Sequence, residues 1–291
     1  MPSSVPSKKT GTAWPPRSSR WRLWLFAAWA VSNSFGSATA DVERSSPPTR
    51  ETPHEVKAES PARDLKILFV GNSYTFFWNM PAVVEFMGKT LNWEVRQSVA
   101  GGATWEDHTK GAKGLATLDK IKSAKWDYVV LQNHSRSALE RPVEFQQQGQ
   151  KLIDLVKAHG AVPVLYCTWA TEQEPEMLQP VLRGYQTLAE LNGIDYIPAG
   201  EVWQSIRARQ PGLKLSMDDG SHPSALGSFL NALLFYRYFS GIEAAEPEHW
   251  PFTWSRAGEK QYLLMVDKKD ARLAADFVTG FFAQRTAPAL P

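Results

Sequence analysis

The run Ile67-Leu68-Phe69-Val70, followed by Gly71-Asn72-Ser73-Tyr74-Thr75, constrains this chain more than any other stretch. Four large apolar residues without in/out alternation describe a strand buried on both faces, as found in parallel sheets covered by helices on each side. A turn is expected next, and then a helix with Asn79 as its cap, Pro81 in its first turn, and Val83, Val84, Phe86, Met87 and Leu91 as its buried stripe. Ser73 therefore stands where a strand hands over to a helix. In open α/β sheets the crevice outside the carboxyl ends of the strands is where ligands bind. Serine in such a turn also serves plain turn chemistry, so its role depends on its partners.

From Leu65 onward, short apolar runs alternate with helical periodicities, the pattern of a doubly wound parallel sheet. The expected strands are residues 66–70, 93–99, 127–131, 162–167 and 194–197. The helix after the third strand opens near Pro142, closes at Gly160 and buries Phe145, Leu152, Ile153 and Val156; the helix after the fourth closes at Gly193. Residues 224–239 form the most apolar helix, with Leu226, Phe229, Leu230, Leu233 and Leu234 on or near the face that packs on the sheet. The tail, residues 257–285, reads as further helix through Leu263, Leu264, Leu273, Phe277 and Phe281.

With 291 residues, 43% of them hydrophobic, the chain can build one sizeable core. The first 40 residues carry five basic side chains (Lys8, Lys9, Arg17, Arg20, Arg22) and no acid, then a short apolar run and Ala38-Thr39-Ala40. That order is expected of a secretory signal peptide, and its apolar run is too short to span a bilayer. Residues 41–63, rich in Pro, Ser, Glu and Arg, are expected to form a disordered linker, leaving 64–291 as the folded domain. Without the leader, the balance of 32 basic against 30 acidic residues turns slightly acidic, which argues against a nucleic-acid partner, while the leader itself is expected of a secreted or periplasmic protein with no membrane span after its removal. The single cysteine, Cys167, lies in an apolar run and is expected in the core.

A serine nucleophile needs a base, and the base needs a partner that sets its tautomer. Of the six histidines, His54, His159 and His249 fall in a linker, beside a helix stop and in a Pro/Glu-rich connection. His222 differs. It ends Asp219-Gly220-Ser221-His222, just before the most apolar helix, and a turn with this spacing lets the carboxylate reach one ring nitrogen while the other faces outward. The same residues also serve as ordinary helix-entry caps.

Gly71-Asn72-Ser73 at the first strand end, with Asp219-x-x-His222-Pro223 near the end of the chain, resembles the SGNH (GDSL) hydrolase superfamily, esterases of flavodoxin-like three-layer α/β/α fold. Asn72 stands where the family block has aspartate, and Gly-Asn-Ser-Tyr-Thr with Asn79 and Pro81 is similar to one branch of it. The resemblance covers roughly residues 65–240. It implies a five-stranded parallel sheet, Ser73 as nucleophile, His222 as base and Asp219 as its partner. The oxyanion donors it implies are the Ser73 N–H, a glycine N–H after the second strand, where the Gly-x-Thr spacing favours Gly102 over Gly101, and a side-chain amide after the third. There the chain departs from the family's Gly-x-Asn-Asp: it reads Gln132-Asn133-His134. Position points to His134, residue type to Asn133, and Gln132 can also donate; Asn133 is the expected donor.

Trp78, Trp105 and Trp169 follow the first, second and fourth strands by a few residues and are expected to line one rim of the crevice as platforms for sugar rings. With 12 tryptophans in the chain, some of them must serve ordinary packing. His108, beside Glu106 and Asp107, does not sit in a metal-ligand spacing. The resemblance and these features together predict an exported serine esterase that deacylates a carbohydrate ester through an acyl-enzyme, with acetyl as the expected acyl group, and that needs no cofactor. The alternatives are a lipid or thioester hydrolase with the same three residues, or a non-catalytic carbohydrate-binding protein on the fold.

Overall fold

The structure is a computed structural model that describes residues 64–242, 252–256 and 259–286. The expected leader and linker, with His54 and His249, lie outside the described residues.

Five parallel strands, β1 (Leu65–Gly71), β2 (Trp93–Val99), β3 (Tyr128–Leu131), β4 (Val162–Tyr166) and β5 (Tyr196–Ile197), pair in the order β2-β1-β3-β4-β5. This is the flavodoxin-like order. Along β1, Ile67 and Phe69 point to one face and Leu68 and Val70 to the other, and all four are fully buried. Each face is covered by helices, which is why the strand carries no polar alternation.

The helices, in chain order, are α1 (Ser73–Phe76), α2 (Met80–Met87), α3 (Trp105–Lys110), α4 (Thr117–Ser123), α5 (Ser137–Glu140), α6 (Pro142–Ala158), α7 (Leu178–Asn192), α8 (Ala199–Arg209), α9 (Ala225–Ser240) and α10 (Lys268–Thr286). Side chains of α2, α8, α9 and α10 join Ile67 and Phe69 in one core, while α3 to α7 join Leu68 and Val70 in the other. Helix α9 packs on the sheet as expected, Phe235 meeting Phe69 edge to face at 4.8 Å. It is buried from Leu226 to Phe235 without a break rather than on one face, because α2 and α10 cover its remaining sides. Cys167 is buried as expected, and desolvation pushes its thiol well up. Gly160 and Gly193 take the left-handed conformations (φ 79° and 61°) that end α6 and α7.

Two local expectations differ from the structure. Asn79 does not cap α2: it is left-handed (φ 55°), and its side-chain amide donates to the Leu263 carbonyl at 3.1 Å. The first helix starts one residue after the strand, breaks at left-handed Trp78 and Asn79, and restarts as α2 with Pro81 in its first turn. The tail is not all helix. Residues 252–256 (β6, Phe252–Arg256) and 259–264 (β7, Glu259–Leu264) pair as an antiparallel hairpin, and only α10 is helical. Cross-strand pairing overrode the helical spacing of Leu263 and Leu264 with Leu273 and Phe277, and alternation in Phe-Thr-Trp-Ser-Arg was the available signal.

Register is what positions the crevice. Gly71 pairs with Val99, Val70 with Leu131, Leu131 with Leu165, and Tyr166 with Ile197, so the sheet ends along one line. The loops carrying Ser73, Gly102 and Asn133 leave from that edge.

Candidate active site

Asn72 makes the sharp exit from β1. Its carboxamide oxygen caps α1 by accepting the Tyr74 N–H at 3.0 Å, and its Nδ2 donates to the Ala103 carbonyl at 3.1 Å. One amide thus joins the Ser73 turn to the loop after β2, a double role a carboxylate cannot fill. Gln132, fully buried, accepts from the Asn72 N–H and from Thr75 Oγ1, both at 2.8 Å, and donates to the Asn133 carbonyl. The turn bearing Ser73 is therefore held from the second and third strand ends at once.

Ser73 Oγ lies 2.9 Å from His222 Nε2, and His222 Nδ1 lies 2.6 Å from Asp219 Oδ2. Asp219 Oδ1 also accepts the N–H groups of Ser221 and His222, each at 2.9 Å. Partial burial alone would raise the Asp219 carboxyl; the His222 side chain and these two N–H groups outweigh it and hold the carboxyl below its ordinary value. The carboxylate fixes the proton on Nδ1, leaving Nε2 to accept from the serine hydroxyl. Such an arrangement can take a proton from Ser73 as its oxygen attacks and can return it to a leaving group.

The loop that carries His222 is tightly held. Met217 N–H donates to the His222 carbonyl at 2.8 Å, Tyr74 OH meets Ser221 Oγ at 2.5 Å, and Trp169 Nε1 donates to the Ser221 carbonyl at 3.0 Å. The imidazole sits against Phe77, with ring centroids 4.6 Å apart, and the edge of Tyr74 at 5.6 Å.

No family model matches this chain. No curated protein matches it either. Among solved structures, a candidate SGNH hydrolase from Slackia heliotrinireducens aligns at 26% identity and TM-score 0.55, over 61% of this chain and 100% of that one. The chain belongs to the SGNH hydrolase superfamily. Two further structures share the fold: a DUF4886 family protein from Bacteroides uniformis (18% identity, TM-score 0.57, 78% of this chain and 98% of that one) and an acetyl xylan esterase (15%, 0.51, 60% and 99%).

Gly102 is left-handed (φ 59°) in an exposed turn, a conformation that glycine adopts without strain. Thr104 caps α3, with a reciprocal bond to Asp107, so the Gly-x-Thr spacing is a turn followed by a helix start. Asn133 is almost fully buried; its oxygen accepts from the Trp105 and His134 N–H groups at 2.9 and 2.8 Å, while its Nδ2 has no hydrogen-bond partner among the described residues. Gln132 is consumed in holding the Ser73 turn. His134 is half-buried, and desolvation lowers its pKa.

Two of the three expected tryptophan platforms do not reach the crevice rim. Trp105 is fully buried against Phe145 and Tyr185, and Trp169 is sandwiched between Tyr74 (4.7 Å) and Trp203 (3.8 Å). Burying both indole faces was favoured over presenting them to solvent, since ring stacking adds to area burial. Trp78 is 42% exposed, left-handed at φ 53°, and anchored through Nε1 to the Pro223 carbonyl at 3.0 Å, beside His222.

His108 is fully buried in a chain of hydrogen bonds: Nε2 to the Gly71 carbonyl (3.1 Å), Nδ1 to Thr117 Oγ1 (2.6 Å), and Thr117 to Ser98 Oγ (2.9 Å). Desolvation pulls it to about 4 against the Gly71 carbonyl, so it is neutral at pH 7 and donates to the residue that begins the Ser73 turn. Sequence reading did not find the roles of Gln132, His108 or Tyr74. No helix among the described residues is long and apolar enough to cross a membrane.

Proposed function

We propose that this chain is an exported serine esterase that deacylates a carbohydrate ester, with acetyl as the simplest acyl group, through an acyl-enzyme. The observation that carries the reading is the unbroken relay Ser73 Oγ–His222–Asp219, at 2.9 and 2.6 Å, on the carboxyl edge of the sheet. Ser73 Oγ attacks the ester carbonyl while His222 Nε2 takes its proton, and Asp219 steadies the imidazolium through Nδ1. The tetrahedral oxyanion is met by the N–H groups of Ser73 and Gly102 and by Nδ2 of Asn133, the one carboxamide of the third loop whose donor is unspent. His222 then returns the proton to the departing sugar alkoxide. Water repeats the cycle on the acyl-enzyme, releasing acid and free Ser73. The chain's own groups and water handle every proton.

The carbohydrate part of the reading is supported by Trp78, whose exposed indole is fixed beside His222, and by the exposure of His222 and Asp219 (side chains 31% and 47%), which lets a bulky substrate approach. The acetyl xylan esterase neighbour carries that chemistry on the same fold. A lipid or thioester substrate is the second reading, favoured by Phe76 and Phe77, which stack and leave an apolar wall against His222. The test is labelling of the purified protein with a fluorophosphonate, which reacts only with an activated serine. Wild type is expected to label at Ser73, and Ser73→Ala is expected to lose both labelling and turnover with thermal unfolding nearly unchanged. An unlabelled wild-type protein, folded by circular dichroism, would overturn the mechanism.

A further inference from the structure

The turn that carries Gly102 has little packed against its central peptide, and one side chain holds it. Ala100-Gly101-Gly102-Ala103 is closed by the Ala103 N–H donating to the Ala100 carbonyl at 3.1 Å, with positive φ at Gly102 but not at Gly101, the sign pattern of a type II turn. Types I and II differ chiefly by a half-rotation of the central peptide, here the Gly101 carbonyl and the Gly102 N–H. Two glycines offer no side-chain barrier to that rotation. Packing offers little either: a Cβ at Gly101 would meet nothing within 4 Å, and one at Gly102 would meet only Lys113 Nζ at 3.7 Å.

Lys113 Nζ donates to the Gly101 carbonyl at 3.2 Å and to the Gly102 carbonyl at 2.9 Å. In a trans peptide the C=O and N–H point in opposite directions, so anchoring the Gly101 oxygen fixes the direction of the Gly102 N–H. Lys113 reaches the turn from a short segment in which it is itself left-handed (φ 56°), between left-handed Gly111 and Gly114. A lysine in that conformation is strained, and such strain gathers at sites where a side chain must be aimed. Asp107 Oδ2, which also binds the Thr104 N–H, stands 3.6 Å from the ammonium and steers it onto the loop.

We propose that Lys113 is a positioning residue that locks the Gly101–Gly102 peptide in the orientation presenting the Gly102 N–H to the oxyanion. The inference rests on the esterase reading, in which that N–H is a donor. Its effect is carried through the peptide, and Lys113 touches no reacting atom.

The test compares wild type with Lys113→Met, which keeps the aliphatic stem, and Lys113→Arg, which can still donate to both carbonyls. On a small aryl acetate, the methionine variant is expected to lose roughly 10- to 100-fold in kcat with KM nearly unchanged, less than the 10²–10³ for deleting a donor outright. The arginine variant is expected to stay within about fivefold of wild type, a partial rescue by a two-pronged donor. In ¹⁵N-glycine-labelled protein, the Gly102 amide is expected as one sharp resonance in wild type and in the arginine variant. Exchange between turn types should broaden or double it in the methionine variant. Wild-type kcat in Lys113→Met would overturn the inference, as would losses of kcat and thermal stability together with a single sharp Gly102 resonance. If wild type itself turns over no ester, the esterase reading fails, and the amide spectrum still decides whether Lys113 locks the peptide.

Discussion

Asn72→Asp would write the superfamily's usual aspartate into this chain, and the structure says that the change is costly here. The replaced Nδ2 is a donor 3.1 Å from the Ala103 carbonyl at a residue only 2% exposed. An ionised carboxylate oxygen in its place loses that hydrogen bond and leaves the Ala103 oxygen facing another acceptor, a combination worth about 1–3 kcal/mol. The opposing gain, a negative charge at the start of α1, is about 0.3–1 kcal/mol and takes the low end because α1 is a single turn of 4 residues. The net cost at pH 7 is therefore about 2 kcal/mol, or roughly 4–8 °C in Tm for a domain of this size. Burial and the facing carbonyl both favour the protonated acid, so its native pKa lies above the unfolded value of about 3.9. The native state of the variant then binds the extra proton. Its stability deficit is full above the raised native pKa and shrinks as pH falls through that pKa toward 4, where the protonated acid can again donate to Ala103. Urea unfolding of both proteins from pH 4.5 to 7.5 measures the difference directly. A deficit below about 0.5 kcal/mol at pH 7, or one that does not change with pH, would refute the reasoning.

Three further outcomes are expected. His108 is neutral in the native state, with its pKa lowered to about 4, whereas the unfolded chain titrates near the ordinary histidine value, so stability should fall as pH drops from about 6.5 to 4. His108→Gln should flatten that slope in denaturant unfolding, and an unchanged slope would remove His108 as its source. Asn133→Ala should cost on the order of 10²–10³ in kcat with little change in KM, while His134→Ala stays within about tenfold of wild type; the reverse ranking in steady-state kinetics would transfer the oxyanion role to His134. Trp78→Ala should weaken hydrolysis of an acetylated oligosaccharide much more than that of an aryl acetate, and equal losses on both would mark the indole as packing rather than a sugar contact.

Short-range chemistry is legible in the amino-acid order itself. A strand buried on two faces must be apolar throughout, so β1 can be read from Ile67 to Val70 with its exit at Gly71. The Asp219 and His222 contact spans three residues of one turn, and its spacing in the sequence already contains its geometry. The parallel sheet followed from alternating strands and helices, because parallel strands need crossovers. Tertiary structure alone decided the direction in which each loop residue faces. Trp78, Trp105 and Trp169 occupy similar places after their strands, yet one is exposed and two are buried, since exposure depends on which helices arrive from elsewhere to cover a ring. The hairpin of β6 and β7 required knowing that residues 252–256 return against 259–264. Gln132 shows the same limit from inside the site. Its amide reads as a free donor until β3 is placed beside β1, about 60 residues away in sequence, and that register puts its oxygen on the Asn72 N–H and spends it on holding the turn of Ser73.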